Sequence, residues 1–256
     1  LYYCDFKCDK APVFPSIMCK ELLIAYCFNV SVISRFNLNV DKIVIRNTQY
    51  PISILSLERV KNLILYKNNL KNLYLSCEKL KYLNLEISNN STFISKQFKL
   101  TNLETLIIKC TDLHTNNINN LFCPDSPRLK KIHLENLDLS YANNTQWNLK
   151  KYLLLEELSI INCLFNEQAQ IEYNFFLPYK YLNKLELMRV NIDHIKQVIF
   201  NLDKSPKIRE LTLKSLINYK NESEFTDVIK HLKLQNTIRI GLLDDDIFHS
   251  LQCLYH

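Results

Sequence analysis

The sequence predicts an α/β solenoid, in which short parallel β-strands stack side by side and are joined by return segments that are extended early in the chain and helical later. Three observations predict it. An aliphatic frame, Leu-x-x-Leu-x-Leu, recurs eight times in order along the chain. The frames begin 20, 20, 23, 26, 26, 27 and 26 residues apart, a period that holds one strand and one return segment. The chain also has a single glycine, Gly241, in 256 residues, which argues against glycine-rich phosphate loops and enzymes built on tight glycine turns.

The frames are Val40/Ile43/Ile45, Val60/Leu63/Leu65, Leu80/Leu83/Leu85, Leu103/Leu106/Ile108, Leu129/Ile132/Leu134, Leu155/Leu158/Ile160, Leu182/Leu185/Leu187 and Ile208/Leu211/Leu213. A weaker ninth holds Ile238 and Ile240. Side chains alternate faces along a strand, so the last two aliphatics of each frame point into a core while the residue between them points out. One coil cannot cover its own apolar face, but stacked neighbours bury it. Residues 60–79 form one short coil, with Leu63 and Leu65 on the strand and Leu73 and Leu75 on an extended return. Later returns read as helices. Ile195, Val198, Ile199 and Leu202 lie at helical spacing after a cap at Asn191 or Asp193, and Phe225, Val228, Ile229 and Leu232 share one helical face.

The longer template Leu-x-x-Leu-x-Leu-x-x-Asn-x-Leu fits Val60, Leu63, Leu65, Asn68 and Leu70 at every fixed place. Here the chain resembles the leucine-rich-repeat superfamily, over residues 40 to 240. The resemblance implies a curved horseshoe with a parallel sheet on its concave face and a mixed extended and helical convex side. It divides the chain into an N-terminal cap at 1–39, repeats at 40–234, and a last degenerate repeat with a C-terminal cap at 235–256. The ninth place of the frame, usually Asn or Cys in that family, holds Thr48, Asn68, Ser88, Thr111, Leu137, Cys163, Val190 and Leu216. The expectation is therefore that no full asparagine ladder forms and that the later coils lock by packing alone.

Of nine cysteines, Cys4, Cys8, Cys19 and Cys27 precede the first repeat. They resemble the disulfide-bonded cap of extracellular members of the superfamily, with three pairings open. Zinc is the rival reading, but no Cys-x-x-Cys knuckle or nearby His supports it. Cys77, Cys110, Cys123 and Cys163 read as buried thiols, and Cys253 has no obvious mate. Glycosylation sequons stand at Asn29, Asn89, Asn90, Asn143 and Asn221. The first residues show no leader pattern and no Met, so either a leader has been removed or the chain is a fragment. These features favour a secreted, extracellular protein over a cytoplasmic one.

Net charge is +6, yet the 32 basic residues are interleaved with 26 acids, so no block resembles a nucleic-acid arm. No apolar run reaches the length of a membrane span. The residues expected on the concave face are Arg46, Ile64, Tyr66, Tyr82, Glu86, Ile107, Lys109, His133, Glu135, Ile161, Glu186, Met188 and Lys214. Aliphatic and aromatic anchors among charges suit a protein interface. Tyr66 and Tyr82, in adjacent coils, are candidates for an exposed aromatic patch. His133 and Glu135 face one way and are the one pair placed for acid-base or metal work, but no third ligand or nucleophile shares their register. The His-x-Glu of zinc deaminases would require a Pro-Cys-x-x-Cys, which is absent. The resulting expectation is a non-enzymatic protein-binding module without cofactor or metal. An intracellular adaptor, such as a ubiquitin-ligase substrate receptor, is the alternative.

Overall fold

The computed structural model describes residues 2–3, 18–25, 39–48, 52–68, 70–87, 98–111, 126–137, 152–164, 180–190 and 209–214. Every regular element among them is a strand. In chain order these are β1 (Tyr2–Tyr3), β2 (Met18–Ala25), β3 (Asn39–Arg46), β4 (Ile52–Ser56), β5 (Asn62–Asn68), β6 (Leu70–Ser76), β7 (Tyr82–Ile87), β8 (Phe98–Lys99), β9 (Thr105–Cys110), β10 (Lys131–Glu135), β11 (Glu157–Ile161), β12 (Lys184–Met188) and β13 (Glu210–Lys214).

They form a parallel β-solenoid. Ten strands make one sheet in the order β1-β2-β3-β5-β7-β9-β10-β11-β12-β13, and β4, β6 and β8 make a second parallel sheet. The frames stack in register: Ile43 lies beside Leu63, Leu63 beside Leu83, Leu83 beside Leu106, Leu106 beside Ile132, and so on through Leu158, Leu185 and Leu211. Alternation is strict, with Leu63, Leu65, Leu83, Leu85, Leu134 and Leu185 fully buried and the residues between them half-buried or exposed. Each aliphatic row along the stack is one continuous strip of core. Residues 60–79 fold as the sequence predicts, with β5 and β6 on opposite sheets and Leu70 and Leu75 fully buried on the return side. The helical returns expected within 191–207 and 223–234, and the weak ninth frame, lie outside the described residues.

The sheet starts two strands before the aliphatic frames, with β1 beside β2 and β2 beside β3. Cys19, Leu22 and Ile24 stand in register with Val40, Ile43 and Ile45, so β2 is a rung of the same sheet. A cysteine in the first place of the frame hid it.

Two further repeated features build the coil. A buried residue sits three before five of the frames, at Leu57, Cys77, Leu100, Ser126 and Tyr152. From Cys77 onward the frame's first N–H donates to that residue's carbonyl, as in Leu80 N to Cys77 O at 3.1 Å and Leu155 N to Tyr152 O at 3.0 Å. This β-turn leaves two exposed residues at the edge of the stack. In the second feature, the carbonyl of the residue after the first frame aliphatic accepts two N–H groups from the next coil. Glu104 O, for example, takes Lys130 N at 2.9 Å and Lys131 N at 3.0 Å. The ladder therefore continues past the strand ends, satisfying backbone groups that burial would otherwise strand.

The corner after the strand takes two forms. At Asn47, Lys67, Asn136, Asn162 and Arg189 the backbone turns with φ between 50° and 59°. Asn tolerates this left-handed region best after glycine, a sensible choice in a chain with so little glycine. In the coils of β7 and β9 the strand instead runs on, and Ile87 and Cys110 are buried where the other coils turn. This corrects the ninth-place assignment there. Thr111 is exposed, and the ladder slips between Leu65 and Asn68 so that Asn68 faces Ile87.

Polar bonds between coils also correct the expectation of packing alone. Asn68 carries the expected ladder, its Nδ2 donating to Ile45 O at 2.8 Å and its Oδ1 accepting from Thr48 N at 3.1 Å. In later coils the eighth place substitutes. Asn136 Nδ2 donates to Cys110 O at 3.0 Å, and Asn162 Nδ2 donates to Asn136 Oδ1 at 2.7 Å. The buried Ser126 hydroxyl adds a bond to Leu100 O at 2.7 Å.

Candidate functional site

The face of the large sheet turned away from the core carries three rows of side chains, from the third, fifth and seventh places of the frame. Strand pleating puts these three places on one side, and the in-register stack brings each row's members to adjacent strands, about 4.8 Å apart. The expected residues occupy the third, fifth and seventh places of their frames. Arg46 and Tyr66 are exposed, and Ile64, Tyr82, Glu86, Ile107, Lys109, His133, Glu135, Ile161, Glu186 and Met188 are half-buried. Lys214 occupies the matching place of β13, beside Met188.

Tyr66 and Tyr82 share the face but not a patch. Tyr82 pairs with Asn62, and Tyr66 is four residues further along β5, or about 13 Å at strand rise. Sequence proximity of the two coils concealed that the tyrosines occupy opposite ends of their strands. Tyr66 instead has Lys67, whose Nζ lies 5.3 Å from the ring centroid. Lys67 was missed because only the left-handed backbone at the eighth place brings it back toward this face, and that conformation has no signal in a lysine.

The polar residues divide into a satisfied and an unsatisfied group. Around β10 the network is closed: Lys109 Nζ bonds Glu135 Oε2 at 2.6 Å, and His133 Nε2 donates to the same oxygen at 3.2 Å. Ser159 Oγ donates to Glu186 Oε2 at 2.7 Å. Burial alone would raise Glu135, but the bonds from Lys109 and His133 outweigh it and hold its carboxyl below the usual range. Glu86 goes the other way. Partial burial raises it, and the nearby Lys67 and Lys109 only partly offset that.

His133 and Glu135 thus act as a hydrogen-bonded pair locked to Lys109. A lysine on the same carboxylate oxygen occupies the position a metal would need. Among the described residues no group of three or more His, Cys, Asp and Glu converges to hold an ion. Cys77 and Cys163 are free and buried, and Cys110 is buried as well. Desolvation pushes Cys77 and Cys163 up to about 12, so both stay protonated and unreactive at neutral pH.

Every lysine–carboxylate ion pair among the described residues joins neighbouring coils along a row. In the third place Glu21 meets Lys42 at 2.8 Å, Lys131 meets Glu157 at 2.5 Å and Lys184 meets Glu210 at 3.5 Å. At the second place, on the edge of the face, Asp41 pairs with Lys61 at 2.8 Å, Lys81 with Glu104 at 3.0 Å and Lys130 with Glu156 at 3.0 Å. These charges are committed to the stack.

Of the disulfide candidates, Cys4, Cys8 and Cys27 lie outside the described residues, and Cys19 is on β2. The sequons at Asn29, Asn89, Asn90, Asn143 and Asn221 also lie outside them. No helix among the described residues is long and apolar enough to cross a membrane. No protein-family model matches the sequence, and no curated protein is significantly similar to it.

Proposed function

We propose that this chain is a non-enzymatic recognition module of the leucine-rich-repeat type, which holds a protein partner on the concave, strand-lined face of its solenoid. One observation carries the reading. Aliphatic and aromatic side chains that no core requires, Ile64, Tyr66, Ile107, Ile161 and Met188, recur on the outward face of one continuous sheet, interleaved with charges. Scattered exposed apolar residues are ordinary, but a row fixed by register presents them as one surface. The Lys109–Glu135–His133 bonds fit the rigid polar part of such an interface better than a catalytic pair, because the carboxylate is already occupied.

Secretion is part of the proposal, supported by the N-terminal cysteine group and the sequons. The buried free thiols favour the second reading, an intracellular adaptor. Mass measurement with and without reduction separates the two: linkage among Cys4, Cys8, Cys19 and Cys27 supports secretion, and four free thiols reject it.

The interface itself is tested with a partner captured from the source organism's secretions and then purified. Tyr66→Ala and Met188→Ala each weaken its affinity by about fivefold or more, the effect of removing an ordinary anchor, while thermal unfolding stays nearly unchanged. Full affinity in both variants removes the site from this face.

A further inference from the structure

The outward face is not uniform, and its two halves are in different energetic states. Along the fifth row, Leu23, Val44, Ile64 and Ile107 occupy β2 to β9, and from β10 onward the row is His133, Ser159, Glu186 and Thr212. In the polar half the groups satisfy one another through Lys109, His133, Glu135, Ser159 and Glu186. Covering those groups with a partner would strip water from bonds that are already made, with little return.

The apolar half is unfinished by the same criterion. Asn84 interrupts its row between Ile64 and Ile107, and its Oδ1 is sealed from solvent with no hydrogen-bond donor. A buried acceptor left this way carries a desolvation cost that a donor brought by a ligand would cancel. At the seventh and eighth places beside this row, Arg46 is exposed and makes no ion pair among the described residues. Lys67 stands over Tyr66 and makes no salt bridge among the described residues, its nearest charged influence being on Glu86 of β7. The lysines of the neighbouring rows, by contrast, are held in pairs across the coils.

Resting on the reading of the sheet face as a protein-binding surface, we infer that the half of that face on β3, β5, β7 and β9 holds a distinct subsite of that surface, and that this subsite takes an extended peptide segment that is both apolar and acidic. Aliphatic or aromatic side chains cover Val44, Ile64 and Ile107, the half-buried Asn84 side chain turns outward so that a backbone or side-chain N–H meets its Oδ1, and a carboxylate lies between Arg46 and Lys67. Four adjacent strands span about 14 Å, the reach of roughly four extended residues. Arg46 supplies a planar fork suited to a carboxylate. Lys67, with one side against the Tyr66 ring, supplies a second positive group a single coil away.

The test uses the full chain and two fluorescent pools of synthetic peptides about eight residues long, matched in apolar content, one carrying Asp and Glu and the other Lys and Arg. The acidic pool binds at least about tenfold more tightly than the basic pool at low salt, the scale expected when one close charge pair changes sign. The double variant R46E/K67E, at exposed positions and checked for its fold by circular dichroism, abolishes that preference, and Ser159→Ala on β11 leaves it intact. Asn84→Leu raises the unfolding temperature and weakens the acidic pool, a combination that a purely structural asparagine would not give. Equal binding of the two pools, or acidic binding unchanged in both R46E/K67E and Asn84→Leu, overturns the inference. If Ser159→Ala alone removes binding of the acidic pool, recognition stays on the sheet face but belongs to its other half. Retention of the captured partner by both Tyr66→Ala and Met188→Ala removes the whole face.

Discussion

Glu86 and Glu135 sit in the same row of the open face, one on β7 and one on β10, and their surroundings move them in opposite directions. Burial dominates at Glu86 and raises its pKa, whereas at Glu135 the bonds from Lys109 and His133 exceed the cost of burial and lower it. For Glu135 the folded pKa lies below the unfolded one, so its stabilisation is complete above the ordinary carboxylate range and is lost as the pH falls through the folded value. For Glu86 the folded pKa lies above the unfolded one, so ionisation at neutral pH weakens the fold and protonation relieves it. Glu135→Gln therefore destabilises at pH 7 by about 0.5–1 kcal/mol, the range for a partly exposed pair, and costs little at pH 3. Glu86→Gln stabilises slightly at pH 7 and is neutral at pH 3. Urea unfolding of both variants at the two pH values checks the signs, and the same sign for the two variants at pH 7 contradicts this account. Asn68 shows the other residue-scale device, tying Ile45 O and Thr48 N of the preceding coil from a fully buried position.

Among the elements, parallel strands that repeat in register bring identical frame places side by side, so like charges would stand about 4.8 Å apart unless the sequence alternates them. It does so in the later coils, where the third row reads Lys131, Glu157, Lys184, Glu210 and the second row reads Glu104, Lys130, Glu156. Each exposed pair contributes little to stability, about 0–1 kcal/mol. Their combined effect is to penalise slipped registers, which a uniformly aliphatic frame would tolerate. Glu157→Lys places three lysines in succession and destabilises by about 1 kcal/mol, less at high salt. Adding Lys131→Glu, Lys184→Glu and Glu210→Lys restores most of the loss by inverting the row. Denaturation of the single and quadruple variants at low and high salt measures this, and a quadruple variant less stable than the single one would show that the charges do not pair along the row.

For the molecule as a whole, the stack of coils was legible in the sequence because burial leaves a chemical trace. Leu63, Leu83 and Leu185 must be aliphatic wherever the coil is closed, and they are fully buried as the frame requires. The extended return of residues 60–79 was equally readable from Leu73 and Leu75. What was not readable depends on backbone geometry or on places that accept many residue types. The buried place before five of the frames holds Leu57, Cys77, Leu100, Ser126 and Tyr152, which share no property a pattern would detect. The two kinds of corner differ by whether the eighth residue turns left-handed or stays extended, and Lys67 and Arg189 give no hint of the former. Cys19 hid a rung because a thiol stood in an aliphatic place. On the face, membership of the rows was legible from alternation, whereas the pairing of Lys109 with Glu135 and the separation of Tyr66 from Tyr82 follow from register across coils.

The claim beneath all of this is that successive coils stack in one fixed register, with the fifth places adjacent on the open face. Cysteine cross-linking tests it directly. Ser159→Cys combined with Glu186→Cys puts two thiols at register-paired positions of β11 and β12, within the Cα separation a disulfide tolerates, about 4.4–6.8 Å. The pair forms a bond on mild oxidation, identified by peptide mass mapping. Ser159→Cys combined with Lys214→Cys, two strands apart, forms none. A cross-link in the second pair with none in the first would show that these coils do not stack as described, and the face they create would not exist.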